Sequence, residues 1–232
     1  MIFYVRGDNM MKKIIVIIIL NLIVILVAVM LAWNSKTIEV KSEYSNKDFG
    51  IDTYISNVDK DNDGIDDQTD ILNNVKKYIE KKPIYESKYY SSGYPDDNYG
   101  VCTDVVAFGL KDAGYDLKEL VNNDIKLNPK NYNIEKIDKN IDFRRVRNLD
   151  VYFKNNYIPL TTNIDEIDKW QGGDIIIFNE HIGIISDRRN EKGIPYLIHH
   201  RSVDQKHYEE DILEFLVKEC GQDYIIGHYR IS

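Results

Sequence analysis

The sequence predicts an α+β domain carried behind a single membrane-spanning helix. Two patterns carry the prediction. Helical periodicity comes first and alternating strand runs come last, the order of an α+β chain. An unbroken apolar run stands near the amino terminus, long enough to cross a bilayer. Composition agrees: 43% of the 232 residues are apolar and 29% charged, which excludes a wholly disordered or fibrous chain.

The apolar run is IIVIIILNLIVILVAVMLAW, residues 14–33, with Asn21 its one polar member. At ~1.5 Å per helical residue it reaches about 30 Å, the thickness of a bilayer core. Lys12 and Lys13 precede it, so residues 1–13 are expected in the cytoplasm and everything after Trp33 outside, at the cell membrane. A cleaved signal peptide, leaving a secreted protein, is the competing reading. Its apolar region is ordinarily ~7–15 residues and ends in a small-x-small site, which Val-Met-Leu-Ala before Trp33 does not match. Residues 1–35 carry a net charge of +2, so the net −8 of the whole leaves −10 on the remainder. So acidic a body is no nucleic-acid partner.

Residues 34–57 read as a polar tether, residues 58–82 as an acidic loop and its helix, and residues 83–232 as the main domain. With Asp59 as position 1, acidic residues stand at positions 1, 3, 5, 9 and 12 and Gly64 at 6. Such a loop gathers oxygen ligands round one calcium ion: Asp59, Asp61, Asp63, the Ile65 carbonyl, Asp67 and Asp70. It resembles a single dockerin-type calcium loop, with Asp66 where an apolar residue is usual. The expected ion is structural, because several carboxylates need a cation to sit together. The alternative is an acidic turn that caps a helix.

Ile71, Leu72, Val75, Tyr78 and Ile79 share one helical face, and Pro83 follows that helix. Further helices are expected over Cys102–Ala113, closed by Gly114, over Leu117–Asn122 and over Val146–Asn155. Strands are expected at Asp174–Phe178, His181–Ser186, Tyr196–Arg201 and Tyr224–Arg230, with a turn at Asn190–Gly193.

Cys102 opens a predicted helix, where exposed N–H groups and the helix dipole favour thiolate, the attacking form of cysteine. His181 begins a strand and can take the thiol proton. His199 on the next strand can orient His181, with His200 as the competing third residue on the opposite face. Cys, His and a polar third residue follow the logic of a papain-like triad. No cofactor is expected for the catalysis itself.

The blocks Gly100-Val-Cys-Thr-Asp-Val-Val106, Asp142-Phe-Arg-Arg-Val146, His181-Ile-Gly-Ile-Ile-Ser-Asp187 and Gly227-His-Tyr-Arg230 carry a family resemblance. Together with Tyr90 and Trp170-Gln-Gly-Gly-Asp174 they resemble the NlpC/p60 superfamily of cell-wall cysteine peptidases, and more closely the bacterial family 1287 of domains of unknown function. The resemblance spans about residues 57–231. It implies a papain-like fold with N-terminal helices packed on an antiparallel sheet. It also implies nucleophile Cys102, base His181, third residue His199, Tyr90 near the substrate, and a cell-wall peptide as partner. Val101 departs from the aspartate usual before the nucleophile in NlpC/p60 enzymes, so peptide specificity does not carry over.

Three other uses of these residues compete. Cys102 and Cys220 can pair as a disulfide in an exported protein. Cys102, His181 and His199 are residue types that bind zinc. A calcium-stabilised binding module of the same fold would have no turnover at all. Arg144 and Arg145 are expected to form ion pairs within the acidic body, with a substrate carboxylate as their other use.

Overall fold

The acidic loop ends where the first helix begins, because Asp66 accepts from the Thr69 N–H at 3.2 Å and so caps it. In the computed structural model, which describes Ile15 and residues 43–231, this helix is α1 (Asp67–Glu80). Ile71, Leu72, Val75 and Tyr78 form its buried face, as their spacing requires. Four more helices follow: α2 (Cys102–Asp112), α3 (Leu117–Leu127), α4 (Val146–Asn156) and α5 (Leu213–Cys220). The chain divides after Lys41, and all of these elements belong to the second unit. The expected membrane segment, residues 14–33, and the cytoplasmic stretch before it lie outside the described residues, Ile15 apart. Among the described residues no helix is long and apolar enough to cross a membrane.

Six strands form one antiparallel sheet in the order β3-β8-β4-β5-β6-β7. They are β3 (Ile158–Pro159), β4 (Ile175–Phe178), β5 (Ile182–Arg189), β6 (Pro195–Ile198), β7 (Glu209–Glu210) and β8 (Ile225–Arg230). A separate parallel pair, β1 (Ile84–Tyr85) and β2 (Tyr99–Gly100), leads the chain into α2. The fold is therefore mixed α+β, with five helices and an antiparallel sheet.

The sheet is buried on both faces. Ile175 and Ile177 of β4 pack with Ile71, Val75, Val105 and Val106 of α1 and α2. Ile176 and Phe178, one residue out of phase, pack on the opposite side with Trp170, Leu197, Leu213 and Leu216. That explains why β4 reads as a continuous apolar run instead of an alternating one.

Two sequence expectations shift. The third helix runs to Leu127, one turn beyond Asn122, and α5 was not expected at all. Residues 43–57, the described part of the supposed tether, lie on the body. Tyr44 bridges to Arg189, Asn46 Nδ2 donates to Gln171 Oε1 at 2.8 Å, and Arg189 Nε donates to Asn46 Oδ1 at 2.6 Å. Arg189 is 1% exposed, and Asn46 Oδ1 with the carbonyls of Ile167, Gly193 and Trp170 satisfies a guanidinium that would otherwise be buried without partners.

Candidate active site

Cys102 is the first residue of α2, after Val101 in extended conformation. The helix start is held from inside. Asp104 Oδ2 accepts from the Val101 N–H at 2.8 Å, and the same carboxylate receives Arg144 through Nε at 2.7 Å and Nη2 at 2.8 Å. Arg144 Nη1 donates to the Lys88 carbonyl at 2.6 Å. Arg144 thus forms a buried bidentate pair; Arg145 pairs with Asp142 at 3.2 Å. Tyr90 lies over the Arg144 guanidinium, 5.1 Å from its ring centroid, and its hydroxyl donates to Asp97 at 2.8 Å. The tyrosine expected near substrate therefore reaches the cysteine helix through Arg144, with its hydroxyl already committed.

His181 immediately precedes β5 and His199 immediately follows β6. The register Ile184↔Ile198 sets Gly183 opposite His199. A Cβ at position 183 would stand 2.7 Å from Leu197 Cδ1, 2.8 Å from the Ile198 oxygen and 3.2 Å from the His199 Cβ, so glycine lets β6 and His199 approach β5 this closely. This gives the His-Ile-Gly-Ile block a physical reason. His181 Nε2 and His199 Nδ1 are 2.8 Å apart, and His199 Nε2 lies 2.9 Å from Glu210 Oε2. The carboxylate fixes both tautomers. His199 donates from Nε2 to Glu210, its bare Nδ1 accepts from His181 Nε2–H, and Nδ1 of His181 keeps a lone pair. Gln205 Nε2 steadies the same turn by donating to the carbonyls of His199 and His207 at 3.2 and 2.8 Å.

The backbone N–H groups around the Cys102 sulfur, those of Ile182 and Thr103 foremost, favour the thiolate without overcoming burial. Burial pushes the thiol up to about 11, and Asp104 adds to the shift. Burial likewise drives His181 down to about 3, helped by the charges of His199, Arg201 and His200. His199 also falls to about 3, through burial, Arg201 and His200; at 1% exposure, desolvation outweighs the Glu210 contact. Both groups therefore rest neutral, Cys102 as thiol and His181 as imidazole. The depressed cysteine expected from the helix N-terminus is overturned by a side chain only 9% exposed.

His200 points elsewhere. It packs edge-on against Tyr85 and Tyr208, at 5.2 and 5.0 Å, and its Nδ1 has no hydrogen-bond partner. His199, not His200, is the residue brought to His181. Glu210 was missed by sequence reasoning, and nothing could have found it: β7 is two residues long and carries no alternation. Cys102 and Cys220 are free thiols, one buried and one exposed, so the disulfide alternative is not formed. Among the described residues, only Asp59, Asp61 and Asp63 form a group whose ligand atoms lie within 4.8 Å of one another. The zinc set of Cys102, His181 and His199 is therefore not assembled.

In the acidic loop, Asp63 and Gly64 donate from their backbone N–H groups to Asp59 at 3.1 and 3.0 Å, and Ile65 N–H to Asp63 at 2.8 Å. Asp70 lies inside, its pKa raised to about 6 by burial and by the charges of Asp63 and Asp61. Asp67 Oδ1 accepts from the Lys60 N–H at 2.8 Å and its Oδ2 from the Tyr115 hydroxyl.

Comparison with known proteins follows the same segment of chain. The family described as a domain of unknown function, DUF1287, matches residues 72–231. The protein named "Uncharacterized protein YijF" of Escherichia coli (strain K12) is 33% identical over 157 residues, covering 64% of this chain and 72% of that protein. No solved structure matches. The matched segment contains Cys102, His181, His199 and Glu210, whereas the acidic loop precedes it.

Proposed function

This chain belongs to the DUF1287 family, and from that premise we propose that it is a cysteine hydrolase of amide bonds acting on the stem peptides of peptidoglycan. The proposed architecture is papain-like, of the NlpC/p60 type, held outside the cell by the apolar segment 14–33. The observation that carries the reading is the His181–His199–Glu210 relay. Its two contacts of 2.8 and 2.9 Å leave Nδ1 of His181 as a base, at the start of the strand that α2, the helix opened by Cys102, packs against.

Cys102 Sγ attacks the amide carbonyl as its proton passes to His181 Nδ1. The imidazolium forms as the attack proceeds, because both groups start neutral, and His199 and Glu210 stabilise it through Nε2–H. N–H groups at the start of α2 receive the developing oxyanion. His181 then protonates the leaving amine as the C–N bond breaks, and a thioester remains on Cys102. Water attacks the thioester, giving its proton to His181, and the acid leaves as the thiol is restored.

One observation favours a second reading. A thiol 9% exposed and held near 11 also suits a calcium-stabilised binding module without turnover. A peptidyl electrophile that mimics an amide separates the two. In a Cys220→Ser background it should label Cys102, and His181→Ala should abolish the labelling. Absence of label on Cys102, with unmodified Cys220 labelled in the wild type, would leave the binding module standing.

A further inference from the structure

We propose that the loop Asp59–Asp70 binds one calcium ion through the carboxylates of Asp59, Asp61, Asp63 and Asp70 and the carbonyl of Ile65. The inference is independent of the hydrolase reading and lies outside the family match, which starts at residue 72. Two observations converge. First, the carboxylates of Asp59, Asp61 and Asp63 bring ligand oxygens within 4.8 Å of one another, and none of them is ion-paired among the described residues. Lys60, the nearest base in sequence, turns its ammonium over the Tyr115 ring at 5.0 Å instead. Second, Asp70 is 5% exposed, yet its Oδ2 has no hydrogen-bond partner. It stands at the position that closes a twelve-residue loop whose positions 1, 3 and 5 are Asp59, Asp61 and Asp63. A buried carboxylate oxygen that makes no hydrogen bond is unfavourable unless a cation meets it.

The backbone suits such an ion. Asn62 and Gly64 take left-handed conformations, with φ of 62° and 93°, which turns successive side chains inward. Five protein groups, some bidentate, with water completing six to eight oxygens, describe calcium rather than the stricter octahedron of magnesium. By holding Lys60 N–H and the Tyr115 hydroxyl, Asp67 fastens the loop to the carboxyl end of α2, where Gly114 approaches the Asp61 backbone. Calcium would therefore tie the start of α1 to the helix that carries Cys102.

The test uses the full chain stripped with chelator and titrated with calcium chloride in a calorimeter, with melting followed in parallel. One calcium per chain is expected. At a hundredfold excess over Kd the melting temperature should rise by roughly 5–10 °C. Asp63→Asn and Asp70→Asn should each lose the binding heat and the rise while melting no lower than the calcium-free wild type. An equal rise with magnesium chloride at the same concentration, a wild type indifferent to calcium and chelator, or an Asp70→Asn variant that titrates like wild type would overturn the proposal.

Discussion

Arg144→Met should destabilise the protein severely, although residue 144 touches neither Cys102 nor His181. The wild-type side chain is 2% exposed and meets a fully buried Asp104 through two charge-assisted hydrogen bonds of 2.7 and 2.8 Å. Removing one partner of such a pair leaves an uncompensated buried charge, at about 3–5 kcal/mol. For a chain of this size that corresponds to a fall in melting temperature of roughly 6–20 °C. Asp104→Asn should also destabilise, because a neutral amide no longer matches the guanidinium fork. The double variant should recover much of the loss, since an amide facing a thioether leaves no buried charge unpaired. Thermal unfolding followed by circular dichroism closes the cycle, with a coupling energy of at least about 2 kcal/mol expected. Strictly additive single losses, or a fall below about 2 °C for Arg144→Met, would refute the claim that this pair holds the start of α2.

Other predictions concern protons and the relay. Cys102 should alkylate slowly at pH 7 and faster as pH rises towards about 11, measured with iodoacetamide in Cys220→Ser; a rate independent of pH between 5 and 8 would contradict the neutral resting thiol. His199 has its folded pKa lowered, so below the unfolded value of ~6.5 the unfolded chain takes up a proton the folded chain refuses. Its contribution is thus full above that pH and is lost as pH falls, by about 2 kcal/mol at pH 5; unfolding free energies from urea titrations at pH 7 and 5 should differ less by that amount in His199→Gln. Glu210→Gln should weaken turnover less than His181→Ala does, because it releases a tautomer rather than removing the base; equal losses would mean that Glu210 does more than orient.

Much of this architecture is legible in the sequence because burial leaves patterns. Ile71, Leu72, Val75 and Tyr78 announce α1 by spacing, and the Ile-Ile-Ile-Phe run of β4 announces a strand covered on both sides. Cys102 and the two histidines stand out because they adjoin such elements. What was hidden depends on long-range packing. Glu210 acts only because β7 pairs with β6 and brings it to His199. The state of Cys102 depends on its burial, which leaves the side chain 9% exposed and which a helix-start signal cannot report. Residues 43–57 look like a polar linker because their partners, Gln171 and Arg189, lie more than a hundred residues away. The Asp59–Asp70 spacing was plain, but only the fold shows Asp67 accepting from Tyr115.

The most direct test of the hydrolase assignment is digestion of purified cell wall, with the released fragments identified by mass. The wild-type chain should release peptide fragments carrying new amine and carboxylate ends. Cys102→Ala and His181→Ala should each remove nearly all release while keeping the wild-type melting temperature, and the double variant should be no worse than either, because nucleophile and base act as one unit. Undiminished release by Cys102→Ala would contradict the account, as would wild-type protein that leaves the wall peptides intact.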